Sequence, residues 1–185
     1  MEFAPDCLYH VYNRGNNRQP LFFSYANYVF FLRKVRTHLL PCCDMLAYCL
    51  MPNHFHFLLE AKTPAAGKTL NGGFQTVLSS YTQAVNKQEQ RTGSLFQQHT
   101  KAKCLEGEYA TTCFHYIHQN PMKANLVNRM ENWEFSSFKD YCGLRKGTLC
   151  YQQRAFEVLN LPPPGKAFYE NAYGVIRPEW VEHLF

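Results

Sequence analysis

The order of elements in this sequence predicts a mixed α+β fold, a ferredoxin-like and largely antiparallel sheet with helices packed against it, plus a C-terminal extension. Three features point to it. Short apolar runs with two-residue alternation trade places with longer runs of helical period, in the order strand, helix, strand, strand, helix, strand, helix. The two adjacent short runs are joined by Met51-Pro52-Asn53, a punctuation typical of an antiparallel reversal. At 185 residues, 46% apolar and 18% charged, the chain can bury one core with an accessory segment to spare.

Taken in order, Tyr9-His10-Val11-Tyr12 alternates apolar and polar and breaks at Asn13-Arg14-Gly15-Asn16-Asn17, a strand entering a loop. From Tyr25 to Leu39 the apolar positions Tyr28, Phe31, Leu32, Val35 and Leu39 recur at spacings of three and four. Arg33, Lys34 and Arg36 lie off that stripe, so one helical face packs and the other is basic. Met45 to Leu50 and Phe55 to Leu59 form the hairpin. A second helix is expected over Lys68 to Gln90, weakened by Gly72-Gly73 and closed by Arg91-Thr92-Gly93. Gln97 to Leu105 reads as a strand with His99, Lys101 and Lys103 on one side. Glu108 to Gln119 is a third helix, acidic in its first turn and limited by Pro121. Leu161-Pro162-Pro163-Pro164-Gly165 sets off a last segment.

Composition excludes several classes. No run nears the roughly 18 apolar residues of a membrane span, and the start MEFAPDCLYH lacks a basic region followed by an apolar stretch, so a cytoplasmic protein is expected. Eight cysteines are scattered without a Cys-x-x-Cys pair and read as reduced, mostly buried thiols. The net charge of +5 is compatible with a polyanion partner without requiring one. Twelve tyrosines and fifteen phenylalanines suit a filled core or stacking on unpaired bases.

The chemistry concentrates in two places. In Asn53-His54-Phe55-His56-Phe57-Leu58-Leu59-Glu60, alternation puts His54 and His56 on one strand face and Phe55, Phe57 and Leu59 on the other. The two histidines are about 7 Å apart at Cα, close enough for both rings to reach one metal ion. The plainer alternative is a pair of solvent-facing histidines on a half-buried strand. In Cys113-Phe114-His115-Tyr116-Ile117-His118-Gln119-Asn120-Pro121, Tyr116 and Asn120 are one helical turn apart and share a side, so a nucleophile and an amide could meet the same metal. Otherwise Tyr116 is an interfacial aromatic and Asn120 caps a turn opening at Pro121.

Tyr9-His10-Val11 with Asn13-Arg14-Gly15, Met51-Pro52-Asn53-His54-Phe55-His56, and Tyr116-Ile117-His118-Gln119-Asn120-Pro121-Met122-Lys123-Ala124 together resemble the blocks of the REP-associated tyrosine transposases, a branch of the bacterial single-tyrosine HUH transposases (IS200-like). Ser80-Tyr81 to Asn86, Arg91 to Phe96 and Trp133-Glu134-Phe135-Ser136-Ser137 up to Tyr141 match further, so the similarity spans roughly residues 8–145 in order. A catalytic domain over residues 1–145 and an extension over 146–185 are expected from it.

The resemblance implies a ferredoxin-like fold with the histidines on a central strand and the tyrosine on a helix beside it. It implies breaking and rejoining of one DNA strand, with Tyr116 as the nucleophile and a 5′-phosphotyrosine link. His54 and His56 would hold a divalent cation, Mg²⁺ or Mn²⁺, imidazole ligation favouring Mn²⁺. The third ligand of the family falls on Asn120, with Gln119 or His118 as substitutes, Gln119 ranked second, because the residue before a proline is biased away from helical geometry. The implied partner is single-stranded or REP-like hairpin DNA, met by a monomer in preference to a dimer, in the bacterial cytoplasm at the nucleoid. Arg14, Arg18, Lys101 and Lys103 are the expected phosphate contacts. Residues 146–185 are expected to pack on the domain or cover the DNA groove, with Trp180 and Phe185 as apolar anchors. The competing expectation is a catalytically silent protein that holds hairpin DNA without cutting it.

Overall fold

The computed structural model describes residues 2–63 and 69–185. Four strands, β1 (Leu8–Arg14), β2 (Cys43–Met51), β3 (His54–Ala61) and β4 (Lys101–Leu105), form one antiparallel sheet in the order β2-β3-β1-β4. Helix α1 (Tyr25–His38) connects β1 to β2 and α2 (Leu70–Gln88) connects β3 to β4, which is the ferredoxin-like connection expected. The start of α2 expected at Lys68 lies outside the described residues. Among the described residues no helix is long and apolar enough to cross a membrane.

The hairpin is as short as a hairpin can be. Met51 pairs with His54, leaving only Pro52 and Asn53 in the turn. The loop after β1 is tied to it, Gly15 N–H donating to the Asn53 carbonyl and the Leu21 N–H to the Pro52 carbonyl. Gly15 is required there, because a Cβ would stand 2.1 Å from the Gln19 carbonyl oxygen. A short 3-10 turn, Asn16–Arg18, follows, with Asn17 and Arg18 in the left-handed region at φ 52° and 59°.

One sheet face is apolar and is covered by α1 and α2. Phe31 of α1 packs on Phe55 and Phe57 at centroid distances of 5.5 and 6.4 Å, and Phe74 of α2 reaches Phe57 at 6.4 Å. Ser24 caps α1 with Asn27 in a capping box, and the Thr69 hydroxyl accepts from Gly72 N–H at the start of α2. The Gly72-Gly73 pair that weakens α2 as a helix has a packing reason: a Cβ on Gly73 would lie 2.5 Å from the His38 carbonyl oxygen, so α1 can approach only a glycine.

The opposite face carries α3 (Glu108–Lys123), laid across β2, β3 and β1, with α4 (Phe138–Tyr141), α5 (Gln152–Val158), α6 (Lys166–Ala172) and α7 (Pro178–Glu182) around it. The central strand β3 is therefore buried on both faces, with only His54 part-exposed. Phe114 of α3 meets Tyr141 at 4.8 Å and Phe168 at 6.3 Å. Residues 133–141 run along the outer edge of β2, where the Leu50 N–H donates to the Phe135 carbonyl and the Trp133 indole to the Leu50 carbonyl. Arg145 locks this segment, donating to Asp140 at 2.6 Å and to the Ser136 carbonyl at 2.6 Å. Arg154 of α5 grips the buried Glu60 of β3 with two bonds of 2.7 and 2.6 Å. Leu149, Ala155, Phe168, Ala172 and Leu184 are all buried, so the segment after 145 shares the core of the sheet domain.

Several element bounds differ from the sequence reading. β1 continues through Asn13 and Arg14, read above as loop, because they pair with Phe55 and His54. The strand expected from Gln97 begins only at Lys101, since His99 adopts a left-handed φ of 61° that no strand accommodates. α2 stops at Gln88, and Gln90 is left-handed at φ 51°. α3 does not stop at Gln119 but runs through Pro121 to Lys123. Proline denies the Ile117 carbonyl one hydrogen bond, while the next turn still closes through Ala124 N–H to the Asn120 carbonyl.

Candidate functional site

The sheet register brings the first residues together. His56 of β3 sits opposite Tyr12 of β1, which in turn sits opposite Lys101 of β4, so all three share the α3 face. His54 and His56 lie with ring centroids 5.0 Å apart and planes nearly perpendicular. Tyr116, from the middle of α3, stands over them with its ring 5.7 Å from that of His56.

Each histidine has one nitrogen engaged within the chain. His54 Nδ1 lies 2.7 Å from the Asn53 side-chain oxygen. The Asn53 amide nitrogen donates to the Arg18 carbonyl at 3.3 Å, so its oxygen is the atom that faces His54, and His54 Nδ1 carries the proton. His54 Nε2 is left as a lone pair. His56 Nδ1 lies 2.9 Å from Nε2 of His10, a fully buried histidine on β1 whose Nδ1 lies 2.9 Å from the Leu184 carbonyl oxygen. Burial holds these rings neutral. It lowers the His10 pKa to about 4 against the opposing Leu184 bond, and lowers that of His54 to about 4 with help from the Arg14 charge. His56 is likewise lowered well below the usual histidine value, by burial first and then by His10 and His54.

Tyr116 is part-buried, and burial raises its pKa above the usual tyrosine value, an effect the nearby Asn120 amide opposes. The Asn120 amide nitrogen also donates to the Tyr116 carbonyl at 2.9 Å. The helical continuity through Pro121 is what keeps Asn120 beside Tyr116. The Lys123 ammonium lies 5.6 Å from the Tyr116 ring centroid on the same side. Gln119 points the other way, spending both amide hydrogens on the Ala172 and Gly174 carbonyls at 2.8 and 2.9 Å. His118 likewise is buried and bonds Ser137 at 2.7 Å.

These groups open on a cavity of about 520 Å³ lined by His54, His56 and Tyr116 and by Arg14, Arg18 and Lys101. Of the four expected phosphate contacts, three line it and Lys103, two residues further along β4, does not. Arg14 is held by Gln97, its Nε donating to the Gln97 side-chain oxygen at 2.9 Å. No carboxylate is among the lining residues, so the cavity is complementary to an anion. Phe185 closes one side, its ring 5.6 Å from Tyr116, 5.0 Å from Tyr12 and 5.4 Å from His10. Trp180 is further off, 5.7 Å from Tyr109 at the first turn of α3.

The donor set fits a divalent cation in part. Among the described residues no three His, Cys, Asp or Glu side chains converge as a ready-made metal cage. The two imidazoles of His54 and His56 line the cavity, whereas Asn120, whose amide bonds the Tyr116 backbone carbonyl, is not among its lining residues, so the histidines offer an incomplete shell of the kind that takes further oxygens from an anionic ligand.

Sequence reasoning assigned no role to His10, Asn53, Lys123 or Gln97. His10 alternates in phase with Tyr12, so strand periodicity already placed it on one face with that residue, but only the β1–β3 register joins it to His56.

No curated protein sequence is significantly similar to this chain. Among solved structures, a REP-associated tyrosine transposase bound to a REP hairpin superposes with a TM-score of 0.63 at 16% sequence identity, covering 78% of this chain and 86% of that one. At that identity the likeness is one of fold. The sequence itself matches the family model described as Transposase IS200 like over residues 4–120, a stretch that contains every residue lining the cavity except Phe185. The chain belongs to the IS200-like transposase family.

Proposed function

We propose that this transposase-family chain cuts and rejoins single-stranded DNA beside a REP-like hairpin, with Tyr116 as the nucleophile and His54 and His56 as ligands of Mg²⁺ or Mn²⁺. What supports it above all is one cavity that combines a phenol 5.7 Å from an imidazole, a second imidazole, three cationic side chains and no carboxylate. That is a place for a phosphodiester. The hairpin is the ligand of the solved structure of like fold and is carried over to this chain as part of the reading.

The reaction is a transesterification. The Tyr116 oxygen attacks phosphorus, the bond from phosphorus to the 3′ oxygen breaks, and that oxygen leaves as a hydroxyl once it takes a proton. A 5′-phosphotyrosine bond conserves the ester, so a 3′-hydroxyl can reverse the step. The phenol is a weak nucleophile, its pKa raised by burial, and the nearby Asn120 amide favours the phenolate. Arg14, Arg18 and Lys101 hold the strand by its phosphates, with Lys103 extending the path along β4. Nε2 of His54 and of His56, with the Asn120 side-chain oxygen as third ligand, would hold the cation. When bound, it supplies Lewis-acid polarisation of the phosphate and fixes it in line for attack.

The test is a labelled single-stranded hairpin incubated with protein and Mn²⁺, then denatured. Wild type is expected to give a denaturation-resistant protein–DNA adduct, and Tyr116→Phe none. Cleavage that persists undiminished in Tyr116→Phe would remove Tyr116 as nucleophile and leave hydrolysis by activated water. A second reading, a protein that holds the hairpin without cutting it, is favoured by one observation: Phe185 occupies the side of the cavity against Tyr116. Binding without any adduct, in wild type and in a chain lacking residues 184–185, would establish that reading.

A further inference from the structure

Backbone carbonyls only accept hydrogen bonds, and that fact propagates through the site. The Leu184 carbonyl lies 2.9 Å from His10 Nδ1, so His10 Nδ1 carries the proton. A neutral imidazole has one N–H, so His10 Nε2 is an acceptor. Its partner at 2.9 Å is His56 Nδ1, which must therefore donate. His56 then has no proton on Nε2. Among the described residues that nitrogen has no hydrogen-bond partner, and His56 lines the cavity.

We propose that His10 is a positioning residue that sets the tautomer of His56, so that His56 presents an unprotonated Nε2 to the cavity. His10 is fully buried and does not line the cavity, so it touches neither the cation nor DNA. Asn53 performs the same service for His54 through its side-chain oxygen. The two ligand histidines thus reach the same tautomer by different routes: His54 from the residue beside it, His56 from another strand and, behind that, from a backbone carbonyl 174 residues away from His10. Outer partners of this kind, which raise ligand basicity and fix ring orientation, commonly change metal affinity ten- to a hundredfold when removed. The link to affinity rests on the reading that His54 and His56 hold the cation; the tautomer does not.

The experiment reads both separately. Nitrogen-15 NMR of histidine-labelled, metal-free protein at neutral pH reports which ring nitrogen bears the proton. Wild type is expected to show His10, His54 and His56 all protonated on Nδ1. His10→Leu is expected to release His56 into a mixture of tautomers and to weaken Mn²⁺ binding, followed by calorimetry, ten- to a hundredfold. His10→Gln, whose amide oxygen accepts in place of Nε2, is expected to restore both. A wild-type His56 protonated on Nε2 overturns the proposal, and that reading needs no variant to fold. So does a His56 tautomer unchanged in His10→Leu. Tautomers that respond as expected while Mn²⁺ binds no better to wild type than to His54→Ala would uphold the positioning role and overturn the metal reading instead.

Discussion

The two faces of β3 are built from adjacent residues and hold opposite kinds of core. Phe55 and Phe57 look toward α1 and α2 into a layer of aromatic and aliphatic contacts. His54 and His56 look toward α3 into a polar layer that opens on the cavity, with His10 buried beside His56 and with His115 and His118 buried on α3 itself. The first face is stabilised by area removed from water, at about 25 cal/mol per Å². The second carries groups that are costly to bury and cheap to misplace, so its geometry depends on every hydrogen bond being made. One face holds the sheet together and the other holds atoms in position.

The largest test of that division compares single substitutions three residues apart on β3. Phe57→Ala deletes a fully buried ring from the apolar face and is expected to cost about 3–5 kcal/mol of stability. His54→Ala removes a part-exposed ring and one short bond to Asn53, and is expected to cost about 1 kcal/mol while abolishing Mn²⁺ binding. Urea unfolding and calorimetry of the two proteins measure both quantities. Equal losses of stability would mean that the histidine face is a structural core as well.

That contrast also explains what the sequence disclosed. Alternation in residues 54–60 separates the two faces outright, and Pro52-Asn53 marks the turn, because both signals are local. The ferredoxin-like order follows from the succession of elements. The polar face is assembled from residues far apart in the chain, and no spacing encodes it: His10 meets His56 through strand register, and Leu184 and Phe185 arrive from the end of a segment whose helices are short. Tyr116 and Asn120 were readable as one helical side. Continuation of α3 past Pro121 was not, because proline removes a single hydrogen bond whereas the packing of Phe114, Ile117 and Met122 against the core retains the helix.

Acid should damage the polar face first. His10, His54 and His115 are lowered to about 4 by burial, and His56 and His118 are lowered well below the usual histidine value. A folded value below the unfolded value of about 6.5 means that the unfolded chain takes up protons first as pH falls. The stability is therefore complete above pH 6.5 and is lost toward pH 4, by up to roughly 1.4 kcal/mol per pH unit for each such group. Urea unfolding at pH 7.5 and pH 5.0 is expected to differ by at least about 2 kcal/mol. His115→Leu should flatten the slope with little loss at neutral pH, since among the described residues neither ring nitrogen of His115 makes a well-formed hydrogen bond. A flat profile in wild type would contradict burial of neutral imidazoles on this face.

Phe185 joins the two kinds of chemistry, an apolar ring placed in the polar layer. It is about half exposed and touches Tyr12, His10, His56 and Tyr116 by their edges. Phe185→Ala is expected to cost about 1 kcal/mol and to speed adduct formation on hairpin DNA several-fold by opening the cavity beside Tyr116. Thermal unfolding and the initial rate of adduct formation measure the two effects. A rate that falls would make Phe185 a platform for the substrate instead of a cover.

The finest distinction lies within β4, where Lys101 and Lys103 project from the same face but only Lys101 lines the cavity. Each phosphate neutralised on a single strand contributes about 0.7 to the slope of log affinity against log salt. Lys101→Gln is expected to reduce the slope by about that amount, uniformly across DNA sequences. Lys103→Gln should leave the slope unchanged if the strand follows the cavity, from Arg18 past Arg14 to Lys101. An equal reduction from both would place the DNA along the open edge of β4 beyond the cavity. The histidine face would then extend into a groove, and the number of cations lining it would understate the number of phosphates held.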